Sequence, residues 1–282
     1  MRRIVGTLVI MVAAASSATG QTAQPRRQAP AAAAPAQKAM AAQVPDPAAM
    51  DALLDRWAQQ NGKLKTLTVS FQRIDTSKVW GDKTEYVGNA YLQSPNLACL
   101  HFSKVDRPEG KPATSADHER IVCTGQQVRQ YDFKTKQIFV FPLDPDQRKR
   151  AIQEGPLPFL FNLNAQEAKT RWGMSLMGED KTNYLIGITP RLQKDKEVFS
   201  QAFLQLSKTS FLPDRMLLVD TNGKDTQDYK FSRVESNQPI NPEFFRALAV
   251  KGWKVVENPE PAQAAQAEPA ARQQPAGRAR PR

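Results

Sequence analysis

Two histidines, His101 and His118, and two cysteines, Cys99 and Cys123, are the side chains here best suited to nucleophilic or metal-ligating chemistry. Their spacing makes no His/Cys zinc cluster, and the chain contains no CxxC, HExxH, GxSxG or glycine-rich phosphate loop. His101 falls on the expected outer face of a strand and His118 in a polar loop, where a solvated role outweighs catalysis. The carboxylate pairs Glu179 with Asp180 and Asp144 with Asp146 fall in turns, where acidic residues serve solubility and turn geometry. This inventory assembles no nucleophile with a base and an electrophile, which argues against an enzyme, a cofactor or a metal.

The cysteines pose a separate question, because the first twenty residues look like an export signal. Arg2 and Arg3 precede an apolar run over 4–15 and small residues at 16–20, the composition of a secretory signal peptide. No cysteine stands near its end, as a bacterial lipoprotein would require, so the expected product is periplasmic and not itself lipidated. Oxidation there would permit a disulfide. Strand alternation argues against one: Cys99 shares a face with Leu97 and His101, whereas Cys123 alternates with Val122 and Thr124 and points inward. Two free thiols are expected.

Segments 21–45 and 259–282 are rich in Ala, Pro and Gln and hold few large apolar residues, so both are expected to be disordered. Together with Arg2 and Arg3 of the first twenty residues, they carry +7 of the formal charge of +11. The remaining core is nearly balanced, a poor electrostatic case for nucleic-acid binding. The basic tails would serve solubility or touch an anionic membrane surface weakly. Residues 46–258 show no repeat and no second low-complexity linker, which predicts one domain, and nothing suggests more than a monomer.

Within that core, Asp46-Pro47 is a helix start. Met50, Leu53, Leu54 and Trp57 then form one apolar stripe that ends at Asn61-Gly62. Leu67, Val69 and Phe71 alternate with polar residues as a half-buried strand does. In the stretch 85–102 (EYVGNAYLQSPNLACLHF) two strands meet at a Ser-Pro-Asn corner. Gly88, Ala90 and Leu92 should face inward, as should Ala98, Leu100 and Phe102, leaving Asn89, Tyr91 and Gln93 toward solvent. A polar loop over 107–117 follows, then strands over 120–124, 128–133, 137–141, 170–178, 184–189, 201–207, 215–221 and 228–234. Short turns such as Asn222-Gly223 join many of them. About ten or more such strands in an antiparallel meander must curl into a barrel or part of one. A helical interruption spans 142–170: 146–153 is polar, 156–163 strongly apolar, and Asn164 with Glu167 resembles a capping box. It must cover apolar surface, either as a plug of the core or as a lid over a cavity.

The order of these parts resembles the outer-membrane lipoprotein carriers, LolA, LolB and their relatives. The likeness rests on 64–72 (LKTLTVSFQ), 88–97 (GNAYLQSPNL), 122–133 with Tyr131-Asp132, the Pro158-Phe159-Leu160 helix, and 245–256 ending in a Gly-x-x-Val-like strand. The resemblance implies a mainly β fold, an incomplete antiparallel barrel of about eleven strands, with N-terminal and mid-chain helices as a lid over its concave face. It implies a periplasmic protein that binds lipoprotein acyl chains or lipid, and it favours lid over plug. Cavity residues would then be Leu67, Val69, Phe71, Ala90, Leu92, Leu100 and Phe102 from strands. Trp57, Phe159 and Phe161 would come from the lid. Ser94 stands where the family has an arginine latch, and the longer 107–117 loop and the tails mark a divergent, lineage-specific paralogue. An alternative role on the same fold is an envelope protein that senses a lipidated ligand and signals to a protein partner.

Overall fold

A computed structural model describes residues 47–78, 80–145, 159–161 and 163–257. Among these described residues, twelve strands form a single sheet in the order β12-β6-β5-β4-β3-β2-β1-β11-β10-β9-β8-β7, which does not close between β12 and β7, so the barrel is incomplete. Two antiparallel meanders account for this order. The first runs through β1 (Thr66–Thr76), β2 (Lys83–Gln93), β3 (Leu97–Asp106), β4 (Thr114–Thr124), β5 (Gln127–Asp132) and β6 (Gln137–Pro142). The second contains β7 (Trp172–Glu179), β8 (Asn183–Pro190), β9 (Gln201–Ser207), β10 (Pro213–Val219) and β11 (Thr226–Ser236). β1 joins the halves by pairing with β2 on one side and β11 on the other.

The joint works because β1 alternates cleanly: Leu67, Val69, Phe71 and Arg73 are buried while the residues between them are half-buried. Opposite them on β2 stand Leu92, Ala90, Gly88 and Tyr86. Gly88 has no substitute at this register. A Cβ there would collide with the His101 carbonyl oxygen and with Cζ of Phe71, whose ring occupies the space. The β2–β3 corner contains the expected turn, with a cis Ser94-Pro95 peptide.

Helix α1 (Pro47–Asn61) buries Met50, Leu53, Leu54 and Trp57 as its stripe requires. Asn164 caps α2 (Ala165–Arg171) by accepting from the Glu167 amide, and this helix persists through Arg171, so β7 begins two residues later than the expected strand at 170. A third short helix, α3, spans Gln193–Lys196. The polar half of the expected mid-chain pair, 146–153, lies outside the described residues, as do Asp46, the export signal and both tails.

Three expectations change. The 107–117 loop is shorter, because residues from Thr114 onward are already β4. His118 therefore sits in a strand, 5.1 Å from the Tyr86 ring, rather than in a loop. The outer face of β2 and β3 is not left to solvent either. A strap made of a 3-10 turn (Pro242–Phe245) and β12 (Lys254–Glu257) crosses it, and β12 pairs in parallel with β6. Beneath it Cys99, Val122, Tyr131, Ile138, Val140 and Phe245 form a second apolar cluster. Phe244 stacks on Tyr91 at 3.9 Å, and Trp253 meets Phe133 edge-on at 5.0 Å. The strap's carbonyls are also held: Arg120 donates to Phe244 O and the Tyr131 hydroxyl to Leu248 O. Cys99 thus lies under the strap, while Cys123 belongs to the inner cluster and donates its thiol to Asn96 O. Both are free thiols on opposite faces of the sheet, as alternation requires. Burial pushes both thiols up from their ordinary pKa, which keeps them protonated and poor nucleophiles.

Candidate functional site

The concave face and its covering segments form one apolar cluster. Leu67, Val69, Phe71, Ala90, Leu92 and Phe102 are buried in it, and Leu100 packs against it half-buried. The second meander contributes Ile186, Ile188, Leu204, Leu206, Met216 and Leu218. From the covering side come Trp57, Phe159 and Phe161, none of them exposed to solvent. Phe159 lies 4.8 Å from the ring of Trp172 and 6.4 Å from that of Phe199. The ten expected side chains are thus neighbours in one cluster. The indole N–H groups of Trp57 and Trp172 are buried in it without acceptors.

Ser94 stands apart from them. It is exposed in the β2–β3 corner, and its backbone N–H donates to Lys65 O. Other polar groups fasten the cover. Asn61, 1 % exposed at the end of α1, donates its amide to Leu160 O at 3.3 Å and accepts from Leu163 N at 2.9 Å. It bridges α1 to the apolar mid-chain segment through both arms of one carboxamide. Arg171 at the end of α2 makes a two-point ion pair with Asp195 in α3, at 2.5 and 3.1 Å, with both side chains buried. Burial opposes the Arg171 charge, and Asp195 with Glu167 outweighs it, so its pKa is raised. Lys169 reaches Asp51 and Asp55 of α1 at 3.3 and 3.9 Å, exposed contacts of small energy.

At the end of the concave face away from the Ser94 corner, the lining becomes ionisable. Arg73 pairs with Asp75, two residues along the same face of β1, and Tyr86, Tyr229 and Glu119 lie around it. Burial pushes the Tyr86 phenol up to about 12 and lowers the His118 imidazole, leaving both neutral at pH 7. Glu119 accepts from the Gln130 amide at 2.5 Å, yet burial raises its carboxyl above the ordinary range. A carboxyl with a raised folded-state pKa binds its proton more tightly when folded. Its stabilising contribution is present below the unfolded pKa, about 4.3, and is lost as pH rises through the folded value. Glu119→Gln, which keeps an acceptor for Gln130, should therefore stabilise the protein at pH 7.5 and be neutral at pH 3.5. Urea unfolding at the two pH values checks this; an equal change at both contradicts it.

Among the described residues no group of three or more His, Cys, Asp and Glu side chains is placed to hold a metal ion. The site's chemistry is that of enclosure: a curved apolar surface, a fastened cover and a polar end.

No curated protein matches the chain by sequence. Among solved structures, an uncharacterised conserved protein from Thermus thermophilus is 16 % identical, with a TM-score of 0.44 over 74 % of this chain and 99 % of that one. Lipoprotein LppX of Mycobacterium tuberculosis is 14 % identical, with a TM-score of 0.37 over 70 % and 99 % of the two chains. The Pseudomonas aeruginosa MucA/MucB complex is 15 % identical, with a TM-score of 0.36 over 70 % and 60 %. The family model described as "Outer membrane lipoprotein carrier protein LolA" matches residues 62–247, a span that runs from the end of α1 through β11 to the strap. Open sheet, covering helices and matched span together place this chain in the LolA family of carrier and binding proteins, not enzymes.

Proposed function

We propose that the protein is a periplasmic carrier that holds acyl chains of lipoproteins or lipids against its concave face, under a lid formed by α1 with Phe159, Phe161 and Leu163. The observation that carries this reading is the composition of the covered surface: strand residues such as Leu67, Leu92, Phe102 and Leu204 meet Trp57, Phe159 and Phe161 in one cluster. An acyl chain entering there gains about 0.8 kcal/mol for each CH₂ removed from water. The cover is joined to the sheet by side-chain packing and a few polar clasps, whereas the strands are joined by continuous ladders. Segments of the first kind open at lower free energy than those of the second. Ligand then replaces lid side chains on the sheet instead of needing a permanently open cavity. Family membership supports the carrier class; the periplasmic site of action follows from the export signal expected over 1–20.

The test is native mass spectrometry of the protein purified from envelope extract, followed by transfer of any bound acylated species to acceptor membranes. Phe159→Asp should abolish co-purifying lipid while leaving the sheet folded, because the carboxylate can reach water only if the lid segment swings out. If the substitution unfolds the whole domain, or the wild-type protein never carries acylated material, the reading fails.

A further inference from the structure

The inner face of β1 does not end as it begins. From Leu67 to Phe71 it is apolar, and then Arg73 takes the next inward position, with Asp75 after it. Arg73 is 1 % exposed. Register places it between Tyr86 of β2 and Tyr229 of β11, and its guanidinium lies 4.8, 5.5 and 5.7 Å from the ring centroids of Tyr86, Phe102 and Tyr229. Asp75 takes the Nε and Nη2 edge at 2.6 and 2.5 Å, while Nη1 reaches the Tyr229 hydroxyl only at 3.4 Å.

A guanidinium carries five N–H donors. Three are accounted for, so two have no acceptor among the described residues, inside an aromatic collar that keeps bulk water away. Buried donors without partners are costly, and a buried arginine with spare donors at the end of an apolar lane has capacity for one more acceptor. The charge balance says which kind. Asp75 already neutralises Arg73, and Glu119 and Asp132 lie on the neighbouring strands β4 and β5, paired with each other in register. An anion would face these carboxyl groups, whereas a neutral carbonyl oxygen takes the free N–H groups without adding charge. Geometry gives the direction: from Arg73 back to Leu67 the strand runs about 20 Å past apolar side chains.

We infer that the Arg73 end of the concave face is the subsite for the ester or amide carbonyl at the head of an acylated ligand, with the acyl chain lying along β1 toward Leu67. This deepens the acyl-binding reading and rests on it. Arg73 would then set the orientation of the bound chain and distinguish acyl from alkyl ligands.

The experiment compares binding of dimyristoylglycerol with that of its ether-linked dialkyl analogue, which has the same chains and no carbonyl, by displacement of a fluorescent acyl probe from the full-length protein. A synthetic N-acylated lipopeptide and a phosphatidic acid of the same chain length complete the set. The ester should bind about 10-fold more tightly than the ether, as expected for one hydrogen bond to a charged donor. The lipopeptide should share that advantage, and whichever of the two binds better identifies lipoprotein or lipid as the source of the carbonyl. In Arg73→Met with Asp75→Leu, which removes the pair together and leaves no lone charge, ester and ether should bind alike, at the ether's wild-type affinity. Equal wild-type affinity for ester and ether overturns the carbonyl subsite while leaving acyl binding intact. Tighter binding of phosphatidic acid by about 10-fold or more also overturns it, in favour of an anion site. Failure of every acylated probe to bind overturns the underlying reading and this inference with it. Because the ester and ether comparison uses the wild-type protein, it decides the question even if the double variant does not fold.

Discussion

Asp195→Ala should destabilise the protein by about 3–5 kcal/mol, a large share of the stability of a domain this size. The expectation comes from what is left behind. Arg171 is 4 % exposed and donates to both carboxylate oxygens of Asp195, so the substitution takes its buried two-point carboxylate partner away from a guanidinium in the interior, while Glu167 stays at 3.4 Å. The ring of Trp172, 4.6 Å from that guanidinium, offers a cation–π contact but no acceptor. Removing both charges at once, as in Arg171→Met with Asp195→Leu, should restore most of the loss, because a buried pair contributes little beyond an apolar pair of similar volume. Chemical denaturation of the two variants measures the contrast. If the single variant loses less than about 1 kcal/mol, the pair is not desolvated as described.

Asn61→Ala is the second large effect, and its signature is different. The side chain meets one backbone acceptor and one backbone donor, Leu160 O and Leu163 N, which lie 99 and 102 residues away. Alanine leaves both groups buried without partners, about 1–3 kcal/mol for each. The loss should not be spread over the molecule. Amide hydrogen exchange should accelerate in α1 and at Leu163 while β1, β2 and β11 keep their protection, since the clasp joins two covering segments and no strand. Under the proposed function, bound acyl chains should also dissociate faster. Uniform acceleration across the sheet would make Asn61 a general core residue instead of a clasp between covering segments.

These two contacts show where sequence reading reaches and where it stops. Period-based signals carried through: the stripe Met50, Leu53, Leu54 and Trp57, the alternation of Leu67, Val69 and Phe71, and the opposed faces of Cys99 and Cys123 are all local patterns that backbone geometry fixes. Asn61 was legible only as a helix terminator before Gly62, because its partners are remote in sequence. Arg73 fell on the inward phase of β1, but a charge on an apolar face reads as a phase error unless its partner is recognised. The Arg-x-Asp spacing to Asp75, two residues along one face, was the signal available. The strap was hinted at by Phe244, Phe245 and Trp253, large apolar residues in a stretch with little periodicity. Which surface they would cover depended on Tyr91, read as solvent-facing from its polar neighbours. His118 escaped because a bulge between Phe102 and Ser103 shifts the β3–β4 register and lets β4 begin earlier than its composition suggests.

The strap also bears on how the molecule comes into being. Phe244, Trp253 and β12 are the last described parts of the chain to be synthesised, yet they cover Cys99, Val122 and Ile138 and occupy the edge of β6, all made more than a hundred residues earlier. Until that final stretch emerges, a nascent chain has an unpaired strand edge beside an uncovered apolar patch, the combination most prone to wrong pairing. The fold is therefore closed by a segment made late, and emergence of the strap is itself the step that makes the outer surface safe.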